Sequence, residues 1–576
     1  MFSNYNSIYK ARYACILLIV FFIEACSGNS AVRNFHSEKQ GLTADSGMVV
    51  SAHPEASRIG ADILKKGGNA VDAAVATAFA LAVCYPEAGN IGGGGFMLIR
   101  TGDGRYEVID FREMAPLLST RDMYLDNTGT VTEGISTQSH LASGVPGSVD
   151  GLISAHMKYG KLLFREVIQP AVFLAENGFP LPAEQAESLN SNREEFIERN
   201  PAGTSFVRDS IWKEGDLLIQ KNLAGTLSRI RDFGREGFYA GTTARFIIKE
   251  MKKGNGIISE KDLEDYKSVS RMPLSADYKG FRIFTIPPPS GGGITLIQLL
   301  KMTEPYSLND LDFHSSQAVH LIAEAERRSF ADRSEYFGDP SFVDIPVNIL
   351  TDNKYLSGRM SDFSLKKATP SNNIKPGILT RYESEETTHF SVVDKEGNAV
   401  AVTTTLNGTF GNSIVADSAG FILNNEMDDF SIQPGFPNMY GLIGGEANAI
   451  SPGKRMLSSM TPVIVEKNGK LFLVAGSPGG STIPTSVFQV IINVIDYGMG
   501  IQESVDAGRF HHQWFPDYIT YENDCFDTAT INKISSLGHL LKPRESIGQV
   551  NAIMILPEGK IAGGADKRSF NTACGY

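Results

Sequence analysis

The sequence has little of what marks several common protein classes. It holds five cysteines in 576 residues. Cys15 and Cys26 lie near the N-terminus, and Cys84, Cys525 and Cys574 are widely scattered, so their spacing builds neither a disulfide framework nor a cysteine metal motif. Cys84, set in an apolar run, reads as a small core residue. Histidine is scarce at ten residues. His-Glu-x-x-His is absent, and the adjacent His511 and His512 point in different directions on regular structure, so no metal is expected. No Gly-x-Ser-x-Gly elbow occurs, because Gly476-Ser477-Pro478-Gly479 has another order. Basic residues are in deficit, 53 Lys+Arg against 65 Asp+Glu for a net charge of −12. That balance argues against nucleic acid or an anionic membrane surface as partner. No internal repeat is present. The apolar run at residues 14–23 and the longer one at 70–84 both fall short of the ~20 residues that span a bilayer.

What is present points to an exported enzyme. The chain is far longer than the ~250–300 residues at which a single core stops growing. Its 42% hydrophobic and 20% charged residues exclude a disordered chain. Glycine is in excess, with 57 residues, about 10% against a usual ~7%. The glycines cluster, as they do where backbone packs on backbone or on a ligand. Lys10 and Arg12 precede the apolar run and Glu24-Ala25-Cys26-Ser27, which is the pattern of a secretory signal over residues 1–25. Ile23-x-Ala25-Cys26 also resembles a bacterial lipoprotein signal. Export to a bacterial periplasm follows, with Cys26 lipidated as the only membrane link or the protein soluble; both forms stay open.

Along the mature chain, Ala56, Ile59, Ile63 and Leu64 recur at helical spacing, and Gly67-Gly68 stops that helix. The alanine-rich stretch Ala70–Cys84 is apolar on nearly every side and reads as a buried helix. Ile91-Gly92-Gly93-Gly94-Gly95-Phe96 is a glycine turn into a strand. It lacks the preceding strand, following helix and Lys-Ser/Thr pair of a phosphate loop, so close backbone packing is expected instead. Residues 160–380 alternate helices and loops, including a polar helix at 184–199 and a charged amphipathic helix at 320–335. Pro287-Pro288-Pro289-Ser290-Gly291-Gly292-Gly293 precedes an apolar helix at 294–300. Residues 364–386 read as an exposed loop. Strands then dominate: residues 389–394 and 399–406 form a hairpin through Lys395-Glu396-Gly397-Asn398, and 460–465 and 470–475 form a second through Asn468-Gly469. Helices and antiparallel strands in this order imply a layered α+β architecture.

The unusual local feature is Glu386-Thr387-Thr388-His389-Phe390-Ser391, where an exposed loop gives way to a buried strand. The plain reading is a strand that starts with β-branched residues. The sharper one is a chain cut before Thr387. A free α-amino group has a pKa near ~7.7, so it can act as a base toward the hydroxyl of its own residue.

Thr387-Thr388-His389-Phe390-Ser391-Val392-Val393-Asp394 resembles the signature of the γ-glutamyltransferases (γ-glutamyltranspeptidases), members of the N-terminal-nucleophile hydrolases. The resemblance spans nearly the whole mature chain. It takes in Gly67-Gly68-Asn69-Ala70-Val71-Asp72-Ala73-Ala74, Asp110-Phe111-Arg112-Glu113-Met114-Ala115-Pro116 and Asn424-Asn425-Glu426-Met427-Asp428-Asp429-Phe430. Leu457-Ser458-Ser459-Met460, Gly476-Ser477-Pro478-Gly479-Gly480-Ser481 and Arg509-Phe510-His511-His512-Gln513 complete it.

The resemblance implies a four-layer αββα sandwich, cut between Glu386 and Thr387 into a large piece (26–386) and a small piece (387–576) sharing one core. Thr387 would be the agent of self-cleavage and the nucleophile, with Thr405 bonded to it, although three consecutive threonines leave that register open. The backbone N–H groups of Gly479 and Gly480 would hold the oxyanion. Arg112, with Ser458 and Ser459, would take the donor's α-carboxylate, and Asn407, Glu426 and Asp429 its α-ammonium. Tyr440 would tip a lid loop. The implied substrates are glutathione and other γ-glutamyl compounds, with water, amino acids or peptides as acceptors and no cofactor. The rivals are a glutaryl or cephalosporin acylase and a non-catalytic exported binding protein.

Overall fold

The computed structural model describes residues 40–376, 388–433, 439 and 445–576. Thr387, Glu386, Tyr440 and the N-terminal segment with Cys26 lie outside the described residues.

Local signals set the first elements. Helix Pro54–Lys65 starts on a proline with the His53 side chain accepting from Glu55 N–H, and it stops just before Gly67 at φ +93°. Helix Ala70–Cys84 opens on a capping box between Asn69 and Asp72, and all fifteen of its residues are buried. Both expected hairpins form: Thr388–Val393 pairs with Ala399–Thr405, and Val463–Lys467 with Lys470–Gly476. Asn468 and Gly469 take positive φ at the second turn, the geometry that two-residue hairpins need.

The strands assemble into two seven-stranded sheets, each antiparallel throughout. One runs in the order Leu42–Ala44, Ile561–Ala565, Asn551–Ile555, Lys470–Gly476, Val463–Lys467, Phe281–Thr285, Leu274–Tyr278. The other runs Thr572–Gly575, Met48–Ser51, Thr388–Val393, Ala399–Thr405, Gly94–Arg100, Tyr106–Asp110, Val269–Arg271. Strands from before and after position 387 interleave in both sheets, so neither side of that position holds a complete sheet.

Alternation along the strands builds the layers. Met48, Val50, Phe96, Leu98, Ala399 and Ala401 face inward and meet Ile464, Val474, Ile553 and Ile561 of the opposite sheet. Their neighbours Val49, Met97, Ile99, Val400 and Val402 face outward into a core shared with helices Pro54–Lys65 and Ala70–Cys84. On the far side, Val463, Val465, Leu473, Ala475 and Met554 pack against helices Gly292–Thr303, Ser316–Tyr336 and Thr482–Ile495. The result is helix, sheet, sheet, helix, the four-layer sandwich expected.

One element differs in character from expectation. The charged stretch at 320–335 is a helix, Ser316–Tyr336, but it is buried on nearly every side and has no solvated face. Glu324, Glu326, Arg327, Arg328, Asp332 and Arg333 all lie inside the protein. Partners inside the protein let the interior hold them: Arg327 Nη1 bonds Glu324, Arg328 Nη1 donates to Glu324 Oε2 at 2.6 Å, Asp332 pairs with Arg359 at 3.0 Å, and Glu326 Oε2 accepts from His512 N–H at 2.8 Å.

Candidate active site

The site grows from the end of the Thr388–Val393 hairpin. Thr388 pairs in register with Thr404. The three threonines of Ala399–Thr405 divide their work. Thr403 meets His389, Thr404 Oγ1 donates to the Gly94 carbonyl at 2.7 Å, and Thr405 Oγ1 accepts from Asn407 N–H at 2.7 Å. Thr405 therefore marks the strand's end and holds Asn407 at φ +72°, a strained value for a non-glycine residue. The neighbouring glycines allow strand Gly94–Arg100 to sit directly against this end. A Cβ at Gly93 would collide with the Thr405 carbonyl oxygen, and one at Gly95 with that of Thr403. Backbone packing is thus what the 92–95 cluster does.

Beneath lies a directional hydrogen-bond chain. Ser391 Oγ donates to the Asn551 carbonyl at 3.0 Å, so it must accept from His389 Nε2–H at 3.1 Å. His389 Nδ1 then accepts from the Thr403 hydroxyl at 2.9 Å. Burial lowers the His389 pKa to about 3 and keeps the ring neutral. Replacing His389 with alanine takes the acceptor from the buried Thr403 hydroxyl and a donor from Ser391 Oγ, and opens a cavity between the sheets. It should lower the unfolding free energy by about 2–4 kcal/mol in urea denaturation. Because the folded pKa lies below the ordinary ~6.5 of histidine, His389 contributes stability fully above that pH. The contribution is lost as pH falls toward 3. A glutamine variant should lack that part of the pH slope.

Arg112 is the electrostatic centre. It follows strand Tyr106–Asp110, is 1% exposed and faces three acids. Its Nη1 bonds Glu426 and its Nη2 bonds Asp429, with Glu113 Oε2 at 3.4 Å from Nη1. Nη2 also donates to the Leu457 carbonyl at 3.1 Å, and Nε to that of Met456 at 3.3 Å. One guanidinium cannot balance three buried carboxylates. Burial pushes the Glu113 carboxyl up to about 7 and that of Glu426 well above the usual range, while the acids hold Arg112 firmly charged. Asp428, next along the turn, is raised by burial to about 6, accepts from Ser136 Oγ at 2.6 Å and receives Met439 N–H at 3.1 Å.

The carbonyls on Arg112 lead straight into Ser458 and Ser459. Ser458 bridges to Ser290: its N–H donates to the Pro289 carbonyl at 2.9 Å, and its own carbonyl accepts from Gly291 N–H at 2.8 Å. The proline–glycine stretch at 287–293 therefore supports the serines. Asn407 Nδ2 donates to the Asn425 carbonyl at 3.0 Å, which ties Asn407 to the turn carrying Glu426. Gly479 and Gly480, at φ +118° and +55°, form the turn between strand Lys470–Gly476 and helix Thr482–Ile495. Their carbonyls accept from Thr482 and Ile483 N–H. That strand's last residue, Gly476, lies so close to the His389 ring that a Cβ there would collide with it. Thus Arg112, Glu426, Asp429, Asn407, Ser458 and Ser459 form one connected group, Thr405 ends the strand that leads to Asn407, and Gly479 and Gly480 lie in the turn that follows strand Lys470–Gly476.

Comparison with known proteins gives the family. A family model described as gamma-glutamyltranspeptidase matches residues 56–576. The chain belongs to the γ-glutamyltranspeptidase family. It is 48% identical to the glutathione hydrolase proenzyme of Escherichia coli K12 over 92% of this chain and 91% of that protein. A solved γ-glutamyltranspeptidase from Helicobacter pylori aligns with 44% identity and a TM-score of 0.56, covering 57% of this chain and 95% of that one. A solved cephalosporin acylase from Bacillus halodurans superposes with a TM-score of 0.79 over 95% of this chain and 99% of that one. At 24% identity, that likeness carries the sandwich fold alone.

Around the Arg112 group, two residues were not singled out by the sequence, Arg333 and Glu113. Glu113 stands beside Arg112 in the stretch 110–116; Arg333 lies in a stretch that reads as a charged amphipathic helix. Among the described residues, one group has metal-like composition, His320, Glu324 and His539, with ligand atoms within 4.8 Å of one another. Two guanidiniums already occupy the Glu324 carboxylate, and His320 Nδ1 lies 2.7 Å from His539 Nε2. That is ion-pair and hydrogen-bond chemistry, poorly suited to a further dication. A hollow of about 310 Å3 lined by His140, Arg199, Glu250 and Asp417 shares no residue with the Arg112 group. No described helix is long and apolar enough to cross a membrane.

Proposed function

We propose that this protein is a γ-glutamyl transferase and glutathione hydrolase, exported as one precursor that cuts itself between Glu386 and Thr387. In this reading the Thr387 hydroxyl attacks the Glu386 carbonyl, and water hydrolyses the resulting ester to free the Thr387 amino group. The pieces are 26–386 and 387–576 after removal of the signal at 1–25, with Cys26 either lipidated or lost. In turnover, the Thr387 oxygen attacks the γ-carbonyl of the donor while its proton passes to the α-amino group of the same residue. The oxyanion is held by the N–H groups of Gly479 and Gly480, and the amine departs carrying the proton. The γ-glutamyl ester on Thr387 then passes to water, an amino acid or a peptide. Thr405 positions the nucleophile, and Tyr440 tips a loop over the glutamyl end.

The observation that carries the donor assignment is the Arg112 group. A cation bonded to the carbonyls that lead into Ser458 and Ser459 faces three acids, which complements a group bearing an α-carboxylate and an α-ammonium on one carbon. The ammonium brings a cation to acids whose charged forms burial disfavours at Glu113 and Glu426. A glutaryl group brings none. Comparing hydrolysis of γ-glutamyl and glutaryl anilides tests this: we expect preference for γ-glutamyl by at least about 100-fold, the scale of one lost charged contact in a buried site. Preference for glutaryl would overturn it.

A further inference from the structure

Helix Ser316–Tyr336 brings Arg333, 2% exposed, against the back of the two serines. Its Nη2 donates to Ser459 Oγ at 2.8 Å and to the Ser458 carbonyl at 3.2 Å. The Ser458 carbonyl also accepts from Gly291 N–H at 2.8 Å and Ser290 Oγ at 3.1 Å, so it is turned into the supporting loop. Ser458 Oγ accepts from Met460 N–H at 3.2 Å. Each hydroxyl oxygen therefore receives a donor from the protein frame. A guanidinium has protons to give and no lone pair to offer, so the Ser459 proton must point away from it. Two serines, each accepting from behind, make a cradle whose hydroxyls donate, the polarity a carboxylate requires. Helix packing fixes the geometry: a Cβ at Gly291 would come to 3.3 Å from Arg333 Nε and collide with Phe337. Burial lowers the Arg333 pKa to about 9, and attraction from Asp429 opposes that fall, so the group is charged at neutral pH.

We infer that Arg333 is a positioning residue for donor recognition, holding Ser459 Oγ as an acceptor so that its hydroxyl is oriented to donate to the donor's α-carboxylate. The inference rests on the donor reading above and deepens it. It predicts that removing Arg333 weakens donor binding selectively.

The test compares γ-glutamyl anilide with its α-carboxamide analogue, using processed wild type, Arg333→Met, Arg333→Lys, Ser459→Ala and the Met/Ala double variant. Arg333→Met should raise KM for the acid substrate about 10–100-fold, as loss of a charge-assisted hydrogen bond does, with kcat within about threefold. The carboxamide, which lacks the charge, should be turned over as in wild type, so the preference for acid over amide collapses. Arg333→Lys keeps the charge without the fork and should raise KM about 3–10-fold in the same selective way. The double variant should lose no more than about twofold beyond Ser459→Ala, because Arg333 acts through that hydroxyl. Equal losses on both substrates, or additive losses in the double variant, would overturn the inference, since either marks a merely structural role. If Arg333→Met does not fold, the lysine variant and Ser459→Ala decide it: retention of the acid preference in either one overturns the inference. Failure of wild type to turn over any γ-glutamyl compound would instead count against the donor reading.

Discussion

Thr387→Ala is expected to accumulate as a single uncut chain whose turnover of γ-glutamyl anilides is lower by at least about 10⁴-fold, the scale of removing a nucleophile. Both losses follow from one missing hydroxyl. Without it the Glu386 carbonyl meets no internal nucleophile, so the α-amino group that should serve as base is never released. Thr387→Ser supplies the control. It keeps the oxygen and loses a methyl group, so cleavage should proceed more slowly and measurable turnover should return. The fold makes the uncut chain a stable object. Strands from either side of position 387 interleave in both sheets, so the core is assembled before any cut. Gel mobility and steady-state rates on the purified variants check both arms. Cleavage in the alanine variant would remove Thr387 from the processing role.

The second large effect is expected at Arg112. Methionine there has similar reach and no charge, and it removes the guanidinium that Glu113, Glu426 and Asp429 all face. Breaking a buried ion pair from one side costs about 3–5 kcal/mol, enough to consume much of a domain's net stability of about 5–15 kcal/mol. Turnover should fall by at least about 10³-fold, because the donor loses its carboxylate partner as well. The charge argument also predicts the contrast. Glu426→Gln removes one of three crowded acids and keeps an acceptor, so it should fold normally and stay within about tenfold of wild-type turnover. Thermal unfolding and anilide kinetics on the two variants measure this. Equal damage in both would mean that the acids act individually and not as a group balanced against Arg112.

Much of the fold was legible where local chemistry decides it. The Asn69–Asp72 cap and the alanine run specify helix Ala70–Cys84, and Asn468-Gly469 specifies its hairpin. The sheet order was not legible, because Leu42–Ala44 pairs with Ile561–Ala565 and Met48–Ser51 with Thr572–Gly575. Such pairings join the two ends of the chain and leave no short-range pattern. The site divides in the same way. Arg112, the Glu426–Asp429 turn and the Ser458–Ser459 pair come from separate parts of the sequence, and their assignment came from resemblance, not from spacing. Arg333 escaped because a helix with six charges in ten positions reads as amphipathic; ion pairs within the helix and to Arg359, Asp362 and Asp517 let it be buried. The histidine pair at 511–512 behaves as adjacency requires. His511 bonds Thr485 and Gln513, whereas His512 faces Arg327 and Asp517.

The central claim is that Thr387 is both the new N-terminus and the residue that carries the γ-glutamyl group. Mass spectrometry of the purified protein, acid-quenched during turnover of a γ-glutamyl anilide and sequenced by fragmentation, tests both halves at once. The account predicts two polypeptides, the smaller beginning at Thr387, with a fraction of it heavier by one glutamyl group on that residue. A single uncut chain that turns over substrate, or a glutamyl group on any other residue, would contradict it.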